Sequence, residues 1–74
     1  MLTYDNFDKK VGEGLKRLRN EKRLTLRQVG EIFGINNSTI ARWESGENSI
    51  SAKLLFKYLE FYGLTYEDFL SSLE

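Results

Sequence analysis

The feature of this sequence that most restricts its fold is a repeated signal for starting a helix. At four places a helix-capping residue has an apolar residue directly before it and another four positions after it, the hydrophobic staple of a helix N-terminus. The four segments are Leu24-Thr25 to Val29, Ile35-Asn36 to Ile40, Ile50-Ser51 to Leu55, and Leu64-Thr65 to Phe69. Four short helices are therefore predicted in the C-terminal two thirds of the chain.

Glycines predict where three of these helices end, because each follows a predicted helix at the position where a left-handed residue terminates helical hydrogen bonding. They are Gly34, Gly46 and Gly63. Gln28 and Asp68 lie three residues after Thr25 and Thr65, and each is expected to complete a capping box.

An apolar rhythm of about 3.6 residues predicts one further helix at the N-terminal side, from about Asn6 to Lys22. Its apolar stripe consists of Phe7, Val11, Leu15 and Leu18. Gly12 and Gly14 each cost up to about 1 kcal/mol relative to alanine, so this helix depends on packing or on a close backbone approach. No proline and no strand-like alternation occurs. We expect an all-α fold of five helices that forms one domain over residues 1–74.

The chain contains no cysteine and no histidine, which excludes disulfides, imidazole catalysis and nearly every zinc, copper or haem site. The acidic residues Glu67, Asp68 and Glu74 lie at a capped helix start and at the chain end, where solvated carboxylates are usual. We therefore expect no enzyme, no cofactor and no metal.

Hydropathy argues against a membrane location. No apolar run approaches the roughly 20 residues of a bilayer span, and the first residues lack the pattern of a signal peptide. Hydrophobic residues at 41% and charged residues at 30% are typical of a soluble globular chain. A cytoplasmic protein is expected.

The charges are balanced in number but unevenly distributed. Eleven basic and eleven acidic side chains give no net charge, so the whole-molecule charge does not argue for nucleic-acid binding. Residues 1–46 carry nine Lys/Arg and six Asp/Glu, whereas residues 47–74 carry two and five. Between Lys9 and Arg27 there are eight basic and two acidic residues. This stretch is either a surface for phosphates or a solvated helix face.

Only three residues, Gly34-Ile35-Asn36, separate the second and third predicted helices, which is the spacing of a helix-turn-helix. Gly30 is expected where these helices cross. On the third helix Ile40 and Trp43 share one face, which we expect to belong to the core. The opposite face is short and polar and could enter a major groove, where Arg42 can offer two parallel donors to guanine. It consists of Ser38, Ala41, Arg42 and Ser45. Structural helical hairpins have the same spacing, so geometry alone leaves both interpretations open.

Three motifs occur in order along the chain: Leu15-x-x-Leu18-Arg19, Leu24-Thr25-x-x-Gln28-Val29-Gly30, and Phe33-Gly34-Ile35-x-x-Ser38-Thr39-Ile40-x-Arg42-Trp43-Glu44-Ser45-Gly46. Together they resemble the lambda-repressor-like helix-turn-helix family of the XRE type, which includes phage repressors, Cro and many bacterial regulators. The resemblance covers residues 11–70 and is most specific in the string from Ser38 to Gly46. Residues 48–69 further resemble the DNA-binding domain of Rgg-like regulators.

The resemblance implies a DNA interface. The third helix, residues 37–45, would lie in the major groove and read bases, and the start of the second helix and the loop after the third would hold phosphates. The implied base contacts are Asn36, Asn37, Ser38, Ala41 and Arg42, although Asn36 is also suited to a purely capping role. The implied phosphate contacts are Thr25, Arg27, Gln28, Thr39, Ser45 and Asn48. Leu26 replaces the glutamine usual in the family, and Glu47 stands where relatives often have a basic residue; both departures are expected to weaken phosphate contacts.

The resemblance also implies an ion pair between helices. Arg19 and Glu44 match residues that pair in relatives between the first and third helices, partly buried. Such a pair would position the third helix.

Apolar residues near the C-terminal end predict self-association. The end of the fourth helix and the fifth helix carry more apolar side chains than one side of a short helix can bury. We expect a homodimer interface formed by Tyr62, Tyr66, Leu70 and Leu73, as a two-fold dimer suits a palindromic operator.

These observations predict a sequence-specific, double-stranded-DNA-binding transcription regulator of the phage-repressor or Cro type. One alternative is a protein-interaction module on the same scaffold, such as an antitoxin that binds a toxin, which the absence of net charge favours. Another is the DNA-binding end of a larger regulator. In each case a regulatory protein partner is compatible with the sequence.

Overall fold

The computed structural model describes residues 1–74, which form five α-helices and no strands. The helices are α1 (Phe7–Glu21), α2 (Leu26–Phe33), α3 (Asn37–Ser45), α4 (Ala52–Tyr62) and α5 (Tyr66–Ser72). The predicted all-α fold is confirmed. The bounds predicted for α1 differ from the observed bounds by one residue at each end.

The predicted capping residues begin the last four helices. Thr25 and Gln28 form the reciprocal capping box of α2, with the backbone N–H of Gln28 donating to Thr25 Oγ1 at 3.1 Å and that of Thr25 donating to Gln28 Oε1 at 2.8 Å. On α5 the backbone N–H of Asp68 donates to Thr65 Oγ1 at 3.1 Å, but the Asp68 carboxylate accepts no bond in return. The prediction that Asp68 completes a capping box is therefore wrong.

Left-handed residues end the first four helices. The three predicted glycines all have positive φ: 67° at Gly34, 80° at Gly46 and 75° at Gly63. The turn after α1 instead uses Arg23, the one non-glycine residue with positive φ, at 57°. A side chain disfavours this conformation, so the end of α1 is held by its surroundings rather than by local preference.

The core contains ten buried apolar residues, drawn from all five helices and from Leu73, which directly follows α5. They are Val11, Leu15, Val29, Ile40, Trp43, Leu55, Tyr58, Leu59, Phe69 and Leu73. The ring of Tyr58 on α4 lies at the centre, stacked on Phe33 of α2 at 4.6 Å and in edge contact with Trp43 of α3 at 6.3 Å. Trp43 is a core residue, as predicted. Phe7 is 40% exposed and Leu18 is partly buried, so only Val11 and Leu15 of the predicted apolar stripe of α1 are fully buried.

Two glycines allow helices to approach at backbone distance. A Cβ atom on Gly12 would lie 2.2 Å from the carbonyl oxygen of Trp43 and 2.7 Å from that of Glu44, so α1 contacts the backbone of α3 directly. A Cβ atom on Gly30 would lie 2.6 Å from the carbonyl oxygen of Ile35 and 3.5 Å from the backbone nitrogen of Asn37, so Gly30 lies against the turn and the first residue of α3, near the predicted crossing of α2 and α3. Together these contacts place α3 against both preceding helices.

None of the five helices is long and apolar enough to cross a membrane.

Candidate nucleic-acid interface

The turn between α2 and α3 is short and closed by backbone hydrogen bonds. Gly34 takes the left-handed conformation, and the N–H of Ile35 donates to the carbonyl oxygen of Gly30 at 2.9 Å. Ile35 is partly buried against the core. This arrangement ties the start of α3 to the middle of α2, so the two helices form one unit.

The two faces of α3 differ sharply in burial. Ile40, Trp43 and Glu44 are buried, and Thr39 and Ala41 are partly buried at the edges. The exposed face carries four polar side chains, Asn37, Ser38, Arg42 and Ser45. A helix with short polar side chains and one arginine on its outer face can enter a major groove without steric conflict.

The polar residues at the start of α3 have different tasks. Asn36 caps the helix, since its Oδ1 accepts from the backbone N–H of Ser38 at 2.9 Å and from the Ser38 hydroxyl at 2.7 Å. Asn37 is exposed, and its side chain makes no hydrogen bond within the chain. A free amide can bond adenine N6 and N7 at the same time. Asn37 is therefore better placed to read a base than Asn36, and Ser38 can do so only by giving up its bond to Asn36.

Arg42 lies at the C-terminal half of the exposed face and has an acidic neighbour. Its Nε is 3.5 Å from Glu47 Oε2, with 55% of the Arg42 side chain and 66% of the Glu47 side chain exposed. The N–H groups of Glu47 and Asn48 both donate to the carbonyl oxygen of Arg42, at 3.0 and 3.2 Å, so the loop after α3 folds back onto the helix end. An ion pair this exposed contributes between about 0 and 1 kcal/mol, so the guanidinium can leave Glu47 for a guanine edge at little cost.

The residues expected to hold phosphates lie on both sides of α3. Arg27 on α2 is exposed and 3.4 Å from Glu31 one turn later. Gln28 uses its side-chain oxygen in the capping box with Thr25, which leaves its amide N–H groups free. Ser45, the last residue of α3, and Asn48 in the following loop are exposed, whereas Thr39 is half-buried. Arg27 and Asn37 line one shallow groove of about 300 Å³ at the turn, so a phosphate candidate and a base-reading candidate are adjacent there.

One basic residue near this surface was not identified from sequence. Lys16 of α1 lines a groove of about 220 Å³ with Ala41 and Ser45 of α3 and with Leu26 of α2. The basic stretch from Lys9 to Arg27 included it, but which side of α1 meets α3 depends on tertiary packing. Arg17, its neighbour, instead donates to Ser72 Oγ near the end of α5 at 3.3 Å. The basic stretch is thus divided between two sides of the molecule.

A bidentate ion pair joins α1 to α3. Arg19 Nε donates to Glu44 Oε2 at 2.7 Å, Arg19 Nη2 donates to Glu44 Oε1 at 2.9 Å, and Arg19 Nη1 donates to the carbonyl oxygen of Leu24 at 2.9 Å. Each residue is only 9% exposed. The hydrogen bonds to Glu44 raise the pKa of the Arg19 guanidinium above its usual value, against the opposing effect of burial. The pair that the resemblance implied is therefore present, and it fixes α3 relative to α1.

Two tyrosine hydroxyls are buried behind this ion pair. The hydroxyls of Tyr58 and Tyr62 on α4 have no hydrogen-bond partner. Burial, which disfavours the charged phenolate, raises the pKa of both tyrosines above the usual value. These groups cannot help to bind a ligand at the surface.

The expected dimer interface is only partly compatible with the structure. Leu73 is 6% exposed and belongs to the core of the monomer, so the prediction that it lies at a dimer surface is wrong. Tyr62, Tyr66 and Leu70 are partly buried against the core, and the Tyr66 hydroxyl donates to the carbonyl oxygen of Ala52. Two of the large exposed apolar side chains lie on α4 instead: Phe56 is 54% exposed and Phe61 is 42% exposed.

Comparison with known proteins addresses the same region. A family model described as helix-turn-helix matches residues 15–69, from the middle of α1 into α5. The antitoxin PezA of Streptococcus pneumoniae serotype 4 (strain ATCC BAA-334 / TIGR4) is 29% identical over 58 residues, which is 78% of this chain and 37% of the antitoxin. The chain thus spans just over a third of the length of this curated relative. No solved structure matches at comparable significance.

Proposed function

The chain belongs to the helix-turn-helix family of DNA-binding regulators, and from that premise we propose that it is a sequence-specific regulator that binds double-stranded DNA with α3 in the major groove. The observation that carries the proposal is the exposed polar face of α3, held in place by the buried pair of Arg19 and Glu44. A reading helix must be rigid, because a base contact requires donors and acceptors at fixed positions. The chain would act by binding and not by catalysis, in the cytoplasm.

The proposed base-reading residues are Asn37 and Arg42, with Ser38 and Ala41 beside them. Asn37 has a free amide at the start of α3, and Arg42 presents an exposed guanidinium one and a half turns later. These are the side chains suited to adenine and guanine edges respectively. The two positions lie at opposite edges of the exposed side of α3, so they would address different base pairs of one half-site.

The proposed phosphate contacts surround this face. Arg27 and Gln28 would hold the strand on the side of α2, and Ser45, Asn48 and Lys16 would hold the strand at the other end of α3. Glu31 and Glu47 lie next to the two arginines of this surface. Their negative charge lowers the attraction for phosphate, so the proposal is of modest non-specific affinity, with selectivity supplied mainly by base contacts.

We further propose that two copies bind a palindromic operator as a homodimer. When helix-turn-helix dimers bind DNA, the two reading helices enter the major groove on the same side of the duplex, about 34 Å apart, which is one turn of DNA. A single α3 addresses only a few base pairs. Pairing two copies doubles the number of bases read and raises the local concentration of the second copy.

A second candidate function is that of an antitoxin-type regulator with a protein partner. The name of the pneumococcal relative favours it, and so does the absence of net charge on this chain. The match covers little more than a third of that relative, so a toxin partner for this chain is part of the proposal. Both candidate functions include DNA binding by α3 and differ in whether a protein ligand controls it.

The proposal is tested by selecting bound duplexes from a random pool and titrating the preferred duplex with salt. We expect one palindromic sequence to be enriched, with half-sites one helical turn apart. Its affinity should exceed that for a scrambled duplex by about a thousandfold or more and fall linearly with salt on logarithmic axes. A pool that yields no preferred sequence, or binding without a salt slope, would contradict it.

A further inference from the structure

We propose that α4 carries the dimer surface, and that its occupant is the α4 helix of a second copy of this chain, packed antiparallel across a two-fold axis. The inference rests on the proposed function in one respect, since a palindromic operator requires a two-fold dimer. The contact surface is a stripe of four residues on the outer side of α4, which we name the α4 stripe. It consists of Lys53, Phe56, Lys57 and Glu60.

The α4 stripe forms one continuous exposed face. Its four residues have the spacing i, i+3, i+4 and i+7, which places them on one side of a helix within about 10 Å of helix length. All four are exposed, and Phe56 is 54% exposed although it is a large apolar side chain. Lys53, Lys57 and Glu60 form no ion pair within the chain. The stripe therefore presents one uncovered aromatic ring and three charges without partners.

When a second copy of the α4 stripe lies antiparallel to the first, the charges at its two ends face opposite charges. A two-fold axis between positions 56 and 57 brings Lys53 opposite the partner's Glu60, and Glu60 opposite the partner's Lys53. The same axis brings the Phe56 rings of the two copies side by side and the aliphatic stems of the two Lys57 side chains next to them, where a lysine can also place its ammonium over a ring. A two-fold interface must match itself in this way. A parallel arrangement would instead place like charges together.

A groove beside Phe56 provides space for the second copy. It has a volume of about 480 Å³ and lies between α4 and the start of α5, with Leu59, Leu64 and Tyr66 as its apolar walls. The ring of Phe56 is 5.9 Å from that of Tyr66, so the exposed phenylalanine is supported from the α5 side. Tyr66, which the sequence placed in the dimer interface, would then lie at its edge. A second Phe56 ring can enter this groove beside the first.

Self-complementary charge is the reason for choosing a second copy over an unrelated protein. Binding of an unrelated partner does not require this surface to be complementary to itself, whereas a two-fold contact does. On the α4 stripe, Lys53 and Glu60 carry opposite charges and lie equally far from the midpoint between Phe56 and Lys57. Because α4 has only 11 residues, the contact is small. Self-association in solution is therefore expected to be weak and to strengthen when two half-sites hold both copies.

The test uses two charge reversals measured by sedimentation equilibrium. Lys53→Glu and Glu60→Lys each turn both attractive pairs of the homodimer into repulsive ones, so each should weaken self-association by at least about tenfold. An equimolar mixture of the two variants recreates attraction at both pairs and should associate as the unaltered chain does. The double variant should also associate. Both changes place charge favourably for the helix dipole, near the start and the end of α4 respectively, so the variants should fold.

Two results would overturn the proposal. One is self-association that neither reversal changes, or that mixing does not restore. The other is an unaltered chain that stays monomeric even on a palindromic duplex, which would assign the stripe to a different partner. Binding of each variant to a duplex with a single half-site serves as the control: it should be unchanged, and failure of every form to bind this duplex would contradict the proposed DNA function while leaving the sedimentation result valid.

Discussion

Arg19 of α1 and Glu44 of α3 are joined by two charge-assisted hydrogen bonds of 2.7 and 2.9 Å, in a site where each residue is 9% exposed. The third donor of the guanidinium binds the carbonyl oxygen of Leu24, just before α2 begins. A single side chain therefore connects α1, the start of α2 and α3. Glu44 directly follows the core residue Trp43 in sequence, so the pair couples the orientation of the proposed reading helix to the packing of the core.

Removal of one partner of this pair should destabilise the protein strongly. Glu44→Ala leaves the Arg19 cation buried without its carboxylate and should lower the free energy of unfolding by about 3 kcal/mol or more. Arg19→Met combined with Glu44→Leu removes both charges and should recover part of the loss. Urea denaturation of the two single variants and the double variant measures this coupling. Single effects that simply add would show that the two side chains do not act as a pair.

Stability should decline at alkaline pH because of the buried tyrosines. Burial raises the pKa of Tyr58 in the folded chain above the usual value of about 10, which applies to the unfolded chain. At a pH between the unfolded-state and the folded-state pKa, the unfolded chain has released a proton that the folded chain retains. The free energy of unfolding should fall as pH rises above about 10, by up to about 1.4 kcal/mol per pH unit for this group. Tyr58→Phe should reduce the decline, while Tyr4→Phe at a 96% exposed position should not. Parallel pH profiles for all three proteins would contradict the assignment.

Gly12→Ala should destabilise the protein by about 2 kcal/mol, even though alanine is favoured over glycine by about 1 kcal/mol within a helix. The added Cβ would lie 2.2 Å from the carbonyl oxygen of Trp43, and two helix backbones would have to separate to accommodate it. Glu13→Ala, at the exposed neighbouring position, is the matched control. Thermal unfolding that ranks Gly12→Ala at or above the parent protein would show that α1 does not contact α3 at this point.

Arg27 is predicted to contact a phosphate, which carries no sequence information. Arg27→Ala should weaken binding to all duplexes by a similar factor and reduce the slope of log affinity against log salt by about one. Arg17 has the same charge but faces Ser72 near α5, so Arg17→Ala should leave the slope unchanged. Equal slopes for the parent and Arg27→Ala would place Arg27 in solvent and away from DNA.

Local signals in the sequence predicted the helices well, because each helix start depends on residues within one turn. Thr25, Asn36, Ser51 and Thr65 cap their helices in the structure as the staple pattern indicates. The left-handed residue that follows α1 could not be predicted in this way. Arg23 adopts a left-handed conformation that a local rule assigns to glycine, and it does so where Arg19 binds the next residue, Leu24.

Two features depend on tertiary packing and were predicted less well from the sequence. They are the burial of residues at the C-terminal end and the choice of which side of α1 contacts each neighbouring helix. The pattern of apolar residues did not show that Leu73 packs against Gly14, where only the absence of a side chain leaves room for it. It also did not show that Lys16 and Arg17, adjacent in sequence, face α3 and α5 respectively. In the site itself the exposed face of α3 followed from helical periodicity, whereas the acidic neighbour of Arg42 depends on how the following loop folds.

The proposed function requires above all that α3 reads base pairs, and substitution of Arg42 tests this directly. Binding of the parent protein, Arg42→Ala and Arg42→Lys should be compared on the selected palindrome and on duplexes that change one base pair at a time. We expect Arg42→Ala to lose roughly 1–3 kcal/mol on the palindrome and to lose preference at one base pair in each half-site. Arg42→Lys should keep the salt dependence but lose the same preference, since lysine lacks the two parallel donors. If both variants weaken binding equally on every duplex, Arg42 contacts only the DNA backbone and base reading by this residue of α3 is wrong.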